Sequence, residues 1–386
     1  MKLILSLFLS LFIIGNLNAQ DQPDSIEISL LTCGTGDELY SLFGHSAVRV
    51  VNHTAHTDEI YNYGLFDFWD PDFYVKFTTG KLLYFVGKDN YLNFLYTYEA
   101  EKRSVIEQQL NVNEKQKLDI IHFLEQNLLP ENRAYRYDFL FDNCATRIRD
   151  IFPKELGKDF KFGNAIATEQ SISFRNILNE YLKNSHWARL GINIIFGNKV
   201  DKKMSNEAAM FLPDLLMAGI STSTFQNQAF VSSTQQILEG THKTNRSLNQ
   251  PLWVMMSILL ITMAVFFFPK LEKFRKIIAF LFLFITGILG CFLIFAWFGT
   301  EHQTFSNNFN LLWALPFNLM VSFTIFKARS WHKNYSIIAL LALSLSVLIS
   351  LTGIQEMPLL ELIPFFFIML YTYLYLNKRS KAIIKN

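Results

Sequence analysis

Two short segments carry residue types that do covalent chemistry. The run Phe141-Asp142-Asn143-Cys144-Ala145-Thr146-Arg147 places a cysteine where a polar residue, Asp142 or Asn143, starts a helix. A thiol in the first helical turn faces unsatisfied backbone N–H groups and the positive end of the helix dipole, which favours the thiolate. The run Gly44-His45-Ser46-Ala47-Val48-Arg49-Val50 opens a strand with a histidine. An imidazole beside the thiol makes an activated nucleophile, and the same N–H groups can bind an oxyanion. A third polar group must orient the ring. Tyr61-Asn62-Tyr63-Gly64-Leu65-Phe66-Asp67 supplies Asn62 as first candidate and Asp67 as second. A lone cysteine is most often a small core hydrophobe, so the case rests on context: a polar-capped helix start and a glycine-flanked strand start.

Other chemistry is weaker. Three cysteines, Cys33, Cys144 and Cys291, cannot build a disulfide framework and leave at least one thiol unpaired. Cys33 follows Leu31-Thr32 in a loosely lipobox-like setting but lies past the acidic residues Asp21, Asp24 and Glu27, and reads as a strand cysteine. His53 and His56 have a ligand-like spacing, yet no cysteine or carboxylate cluster completes a zinc set, so neither metal nor cofactor is expected. Near the C-terminal third, Thr300-Glu301-His302-Gln303-Thr304 and Asn307-Asn308-Phe309-Asn310 concentrate polar groups amid apolar sequence. Ionisable groups near a membrane carry a functional presumption. Glu301, His302 and Asn308, with Arg147, are therefore candidates for gathering substrate.

These residues must be positioned by a chain with two distinct halves. Of 386 residues 51% are hydrophobic and 18% charged, and the net charge of +2 implies no field for nucleic acid. Met1-Lys2, an apolar run to Ile14 and a small residue at Ala19 make a secretory signal over 1–19, too short to span a bilayer. Residues 251–377 contain five apolar segments, 252–268, 277–298, 309–326, 336–353 and 358–376, each of spanning length. Basic residues fall in the loop at 270–276, the loop at 327–333 and the tail 378–386, while 299–308 and the turn at Gln355-Glu356 carry none. The positive-inside rule puts the basic loops and tail in the cytoplasm and residues 20–227 outside, where the signal segment also sends them. The Ser/Gln/Asn-biased stretch 228–250 reads as a linker.

Within the outer half, Ile26–Thr32, Ser46–Val51, Ile60–Leu65, Leu82–Val86 and Ser104–Leu110 read as strands. Asp70-Pro71 opens a short helix that Gly80 closes, and Asn113 with Gln116 caps a helix over 114–128 whose Leu118, Ile121, Leu124 and Leu128 share a face. The expected fold is α+β with an antiparallel sheet, followed by an all-α five-helix membrane domain. The aromatic-rich stretch 61–98 reads as core plus a membrane-facing surface, or equally as a lipid-accessible groove.

The histidine-first, cysteine-last order is that of the circularly permuted papain-like enzymes, which include the NlpC/P60 hydrolases and the lecithin:retinol acyltransferase group. Leu31-Thr32-Cys33-Gly34-Thr35-Gly36, Phe43-Gly44-His45-Ser46-Ala47, Tyr61–Phe68, Asp142–Arg147 and Thr300–Thr304 together resemble the Lnb-type lipoprotein N-acyltransferases. The sequence departs from that pattern at Thr35, where a proline is expected before Gly36. The resemblance implies a multi-pass protein of the bacterial inner membrane with its thiol domain in the periplasm. It implies transfer of an acyl chain from a membrane phospholipid, through Cys144 with His45 as base, to the α-amino group of a diacylated lipoprotein. Two rival readings stand beside it: a cysteine hydrolase of cell-wall peptides, and a non-catalytic membrane assembly module.

Overall fold

The computed structural model describes residues 25–38, 41–166, 172–241 and 247–384. The expected signal segment lies outside them. The strands are β1 (Ile26–Cys33), β2 (His45–Asn52), β3 (Thr57–Leu65), β4 (Leu83–Asn90), β5 (Val105–Leu110), β6 (Ala134–Arg136), the short β7 (Phe160–Lys161), β8 (Thr224–Phe225) and β9 (Gln228–Ala229), and β10 (Val231–Leu238). The outer-half helices are α1 (Phe73–Thr79), α2 (Tyr91–Ala100), α3 (Glu114–Leu128), α4 (Cys144–Leu156), α5 (Phe174–Tyr181), α6 (His186–Ile195), α7 (Asn206–Ala209) and α8 (Pro213–Ser221). Then come α9 (Gln250–Phe267), α10 (Glu272–Phe298), α11 (Phe317–Thr324), α12 (His332–Leu351) and α13 (Leu359–Ile384).

Seven strands form one antiparallel sheet in the order β10-β5-β1-β2-β3-β4-β6. Side chains alternate across a strand, and the central β1 is apolar on both faces because both are covered. Ile28 and Leu30 pack with Val48, Ile120, Leu124, Ile148 and Phe152 beneath α3 and α4. Leu31 and Cys33 pack with Ala47, Ile60, Tyr91 and Phe94 beneath α2. All five expected strands are present, and α3 carries the expected Asn113–Gln116 capping box. Its buried face differs by one step: Ile120 is buried, while Leu118 is 55% exposed.

The expected linker is partly a strand. Residues 231–238 pair with β5, Val231 opposite Leu110 and Gln236 opposite Ile106. The Ser/Thr/Gln run reads as a tether from composition, yet an edge strand tolerates such polar residues because much of it meets solvent.

The third expected segment, 309–326, is helical in two pieces and not in one. A single 3₁₀ turn covers Phe309–Leu312, and α11 has only 8 residues. Eight residues rise about 12 Å, well short of a bilayer core of about 30 Å. Among the described residues four helices, α9, α10, α12 and α13, are long and apolar enough to cross a membrane. Composition marks the third segment as apolar, but Pro316 ends any continuous ladder before α11. The short helix lies tight against α10: a Cβ on Gly290 would meet the Ala314 carbonyl at 2.1 Å, and one on Gly287 the Leu319 nitrogen at 2.2 Å. Buried Asn318 then joins four helices, donating to Thr286 at 2.9 Å and accepting from the hydroxyls of Tyr335 at 2.5 Å and Tyr373 at 3.1 Å. The expected tail is helical too, since α13 runs on to Ile384.

The two halves are joined by the loops without lysine or arginine. The Gly197 and Asn198 N–H groups donate to the Thr304 and Asn307 carbonyls at 2.9 and 3.1 Å. The buried pair Arg175–Asp201 (2.7 Å) extends this seam, and Asp201 also accepts from the Glu356 N–H at 3.0 Å.

Candidate active site

Cys144 is the first residue of α4, and Asn143 is its cap. The Asn143 side chain accepts from the Thr146 N–H at 2.9 Å while the Thr146 hydroxyl accepts from the Asn143 N–H at 2.8 Å. The Asn143 amide also donates to the Phe139 and Phe211 carbonyls at 2.8 and 2.9 Å, which locks the helix start to its surroundings. Capping consumes the third-position N–H. Those nearer the terminus remain for the thiol, and the Ala145 N–H, with that of Ser46, bonds the Cys144 sulfur.

His45 reaches the same point from the sheet. β2 begins at His45 and pairs with β3 at Val48–Tyr61, so His45 and Asn62 lie near one end of neighbouring strands. Gly44 makes the turn into β2 with φ +77°, and a Cβ there would meet the Cys33 carbonyl at 2.7 Å. His45 Nε2 faces Asn62 Oδ1 at 2.6 Å, and the ring also hydrogen-bonds the Cys144 thiol. With Nε2–H donated to the Asn62 carbonyl oxygen, Nδ1 is the nitrogen left for sulfur. Asn62 thereby fixes ring orientation and tautomer.

The two ionisable groups move toward each other's charge. Burial by itself raises the Cys144 thiol, but the His45 charge and hydrogen bond and the two backbone N–H groups carry it below its ordinary 9.0. Burial by itself lowers the His45 imidazole, and the Cys144 charge, its hydrogen bond and Asn62 carry it above 6.5. Both shifts favour a thiolate–imidazolium pair. Both residues stay partly exposed, so a reactant can reach them. Cys33 is the contrast: it lies opposite His45 in the strand register, yet burial pushes its thiol up to about 12.

Other expected site residues are placed elsewhere. Asp67 is exposed, and its carboxylate accepts from the Trp69 N–H at 2.8 Å, so it caps a turn and does not touch His45. Arg147 is bidentate to Asp142 at 2.6 and 2.9 Å and lies 3.6 Å above the Tyr135 ring, lining a groove of about 550 Å³ between α3 and α4. Asn308 is buried, donating to the Ile194 and Ile195 carbonyls at 2.8 Å each and accepting from the Asn310 N–H at 3.0 Å. It is an interior strut. Glu301 pairs with Arg136, and His302 donates from Nε2 to the Phe77 carbonyl at 3.0 Å. These bonds fasten the membrane half to β6 and α1, and none goes to Cys144 or His45.

One group at the site was not singled out from sequence. Gly64 lies beside the nucleophile: a Cβ built on it would be 4.0 Å from the Cys144 Cβ and 4.0 Å from the Tyr135 hydroxyl. That hydroxyl is buried without a hydrogen-bond partner among the described residues. Burial and the nearby Cys144 charge hold it protonated, so it remains a donor. Its position comes from the pairing of Tyr135 with Tyr84 across β6 and β4, which local sequence does not reveal. Among the described residues no cluster of histidine, cysteine and carboxylate groups could hold a metal ion.

Comparison with known families agrees with this architecture. Residues 15–179 match the family model of the Lnb N-terminal periplasmic domain, and residues 243–381 match that of the Lnb transmembrane domain. No curated protein and no solved structure matches the chain. With a mixed α/β domain ahead of a helical membrane region, each matched in order, the chain belongs to the Lnb family of lipoprotein N-acyltransferase-type membrane proteins.

Proposed function

We propose that this protein transfers an acyl chain from a membrane phospholipid to the α-amino group of a diacylated lipoprotein, through a thioester on Cys144. The observation that carries the reading is the chain of contacts Cys144–His45–Asn62 at a capped helix start, in a domain seated on membrane-spanning helices. The Cys144 thiolate attacks an ester carbonyl carbon. The resulting oxyanion is held by N–H groups at the start of α4 and by the Tyr135 hydroxyl. The C–O bond breaks, the His45 imidazolium protonates the departing lysophospholipid oxygen, and the thioester remains. The neutral lipoprotein amine then attacks the thioester, His45 takes its proton, and the C–S bond breaks to give amide and free thiolate. An α-amino group with a pKa near 8 is neutral in part at pH 7, so no stronger base is required.

Membrane placement favours this reading over a peptide hydrolase, because donor and acceptor are both lipid-anchored. The catalytic domain then faces the periplasm from the inner membrane, with the basic loops and the C-terminus in the cytoplasm. The test is mass spectrometry of lipoprotein N-terminal peptides from cells with and without the protein, together with intact-mass analysis of the protein after exposure to phospholipid. A third acyl chain that depends on Cys144, with a fatty acyl adduct on that residue, is the expected result. Unchanged lipoproteins alongside cleavage of cell-wall peptides would overturn it.

A further inference from the structure

An exposed aromatic surface begins two residues after Gly64 and runs through α1. Trp69 is 91% exposed, Tyr74 80%, Phe68 66% and Phe77 50%. These are not loose side chains. Phe66 and Phe73 form a base beneath them, with ring centroids 5.8 Å apart, and Phe73 stacks on Phe77 at 6.1 Å and meets Phe68 at 5.1 Å. The backbone is also prepared for an apolar setting. The Thr78 and Thr79 hydroxyls donate back to the Tyr74 and Val75 carbonyls at 2.7 Å each, and Lys76 is neutralised by Asp70 at 2.7 Å.

The height of this patch is set by the membrane half. The Thr79 carbonyl accepts from the Glu301 N–H at 2.8 Å, and the Phe77 carbonyl accepts from His302. Glu301 and His302 come just after Gly299-Thr300, beyond Phe298, where the spanning helix α10 ends with the stacked pair Trp297–Phe298 at 4.8 Å. A tryptophan at the end of a spanning helix, as Trp297 is, marks the membrane–water interface. The bare face of α1 is therefore level with the outer lipid surface, and a patch of this kind on a protein in water would be a liability.

We infer that the aromatic segment 66–77 dips into the outer leaflet and takes the acyl chains of membrane phospholipid, guiding an ester carbonyl past Gly64 to Cys144. The occupant is lipid and not a protein partner, because the patch is fastened to the loop that leaves the outer end of the spanning helix α10. The guiding role rests on the acyl-transfer reading, whereas the dipping does not.

The test uses the full chain in phospholipid bilayers doped with acyl-brominated phosphatidylcholine. The protein has six tryptophans, so the Trp69 contribution is the difference between wild type and Trp69→Phe. That difference emission is expected to fall at least twofold with bromolipid and to resist aqueous acrylamide, in wild type and equally in Cys144→Ala. Emission that acrylamide quenches and bromolipid does not would overturn the insertion, whether or not the protein proves to be an acyltransferase. For the guiding role, Trp69→Ser/Phe77→Ser is expected to slow acyl loading of Cys144 from bilayer phospholipid at least tenfold. Iodoacetamide labelling of Cys144, which reports an intact site, should stay within twofold. Undiminished loading would overturn the guiding role.

Discussion

The helix start at Cys144 and the outward loop at 299–310 both concentrate polar groups in apolar surroundings, but they spend those groups differently. At Cys144 the side chains bond one another, His45 to Asn62 and to the thiol, and leave Cys144 partly exposed and a buried tyrosine hydroxyl without a partner among the described residues. In the loop, Glu301, His302 and Asn308 bond carbonyls and an arginine on other elements. The first arrangement holds unspent chemical capacity. The second converts it into adhesion between the two halves. Polar density alone does not distinguish a site from a seam; what the groups have left over does.

The largest expected effect is at the thiol. Cys144→Ala should abolish acyl transfer with the protein still present in membranes, while Cys33→Ala and Cys291→Ala keep most activity. Equal loss in Cys33→Ala would break the contrast between an inert core thiol and an activated one. Next comes His45→Ala, expected to lower turnover by about 10²–10⁴-fold. Its sharper signature is pH. Wild-type Cys144 should alkylate below pH 9.0, because its thiol is depressed, and reactivity should fade as pH drops through that depressed value. Without His45 the burial effect is unopposed by the imidazolium, and the midpoint should move upward. Transfer itself should require the imidazolium for lysophospholipid departure, so the acylation rate should fall again as pH rises through the elevated His45 value. A wild-type alkylation midpoint at the ordinary thiol value would remove the ion pair.

Tyr135→Phe should cost about 10²-fold in turnover with little change in Cys144 alkylation, as loss of one oxyanion donor does. A wild-type rate would reduce that hydroxyl to an orphan of packing. The smallest effect belongs to the loop. His302→Ala and Glu301→Gln should change the intrinsic rate by under about 0.5 kcal/mol, near twofold, as partly exposed substitutions do, and show instead as a lower melting temperature in detergent. A 10–100-fold loss of turnover at normal stability would return both residues to substrate handling.

Local signals account for what was legible from sequence. The capped start at Asn143-Cys144, the histidine after Gly44 and the five strands rest on residues within a few positions of each other, and each is where expected. Asn62 was separable from Asp67 only with three-dimensional structure, since both follow His45 on or after one strand. The rest depends on distant partners. Tyr135 meets the site through β6, Asn308 is claimed by α6, and the polar run 231–238 becomes a strand only because β5 offers an open edge. The third apolar segment, 309–326, differs for another reason: hydropathy counts apolar residues and is blind to a proline that divides their helix in two.

That last strand has a consequence for assembly order. β10 is made after every other element of the sheet, and the chain runs on from it through 239–249 to α9. Until it arrives, β5 presents a bare edge with the sheet otherwise complete, an invitation to pair with another copy. A chain cut after Phe230 would retain His45, Asn62, Tyr135 and Cys144 yet carry that open edge permanently. Self-association of such a fragment, relieved by supplying residues 231–238 as a separate peptide, would mark β10 as the piece that closes the domain before the first spanning helix takes its place.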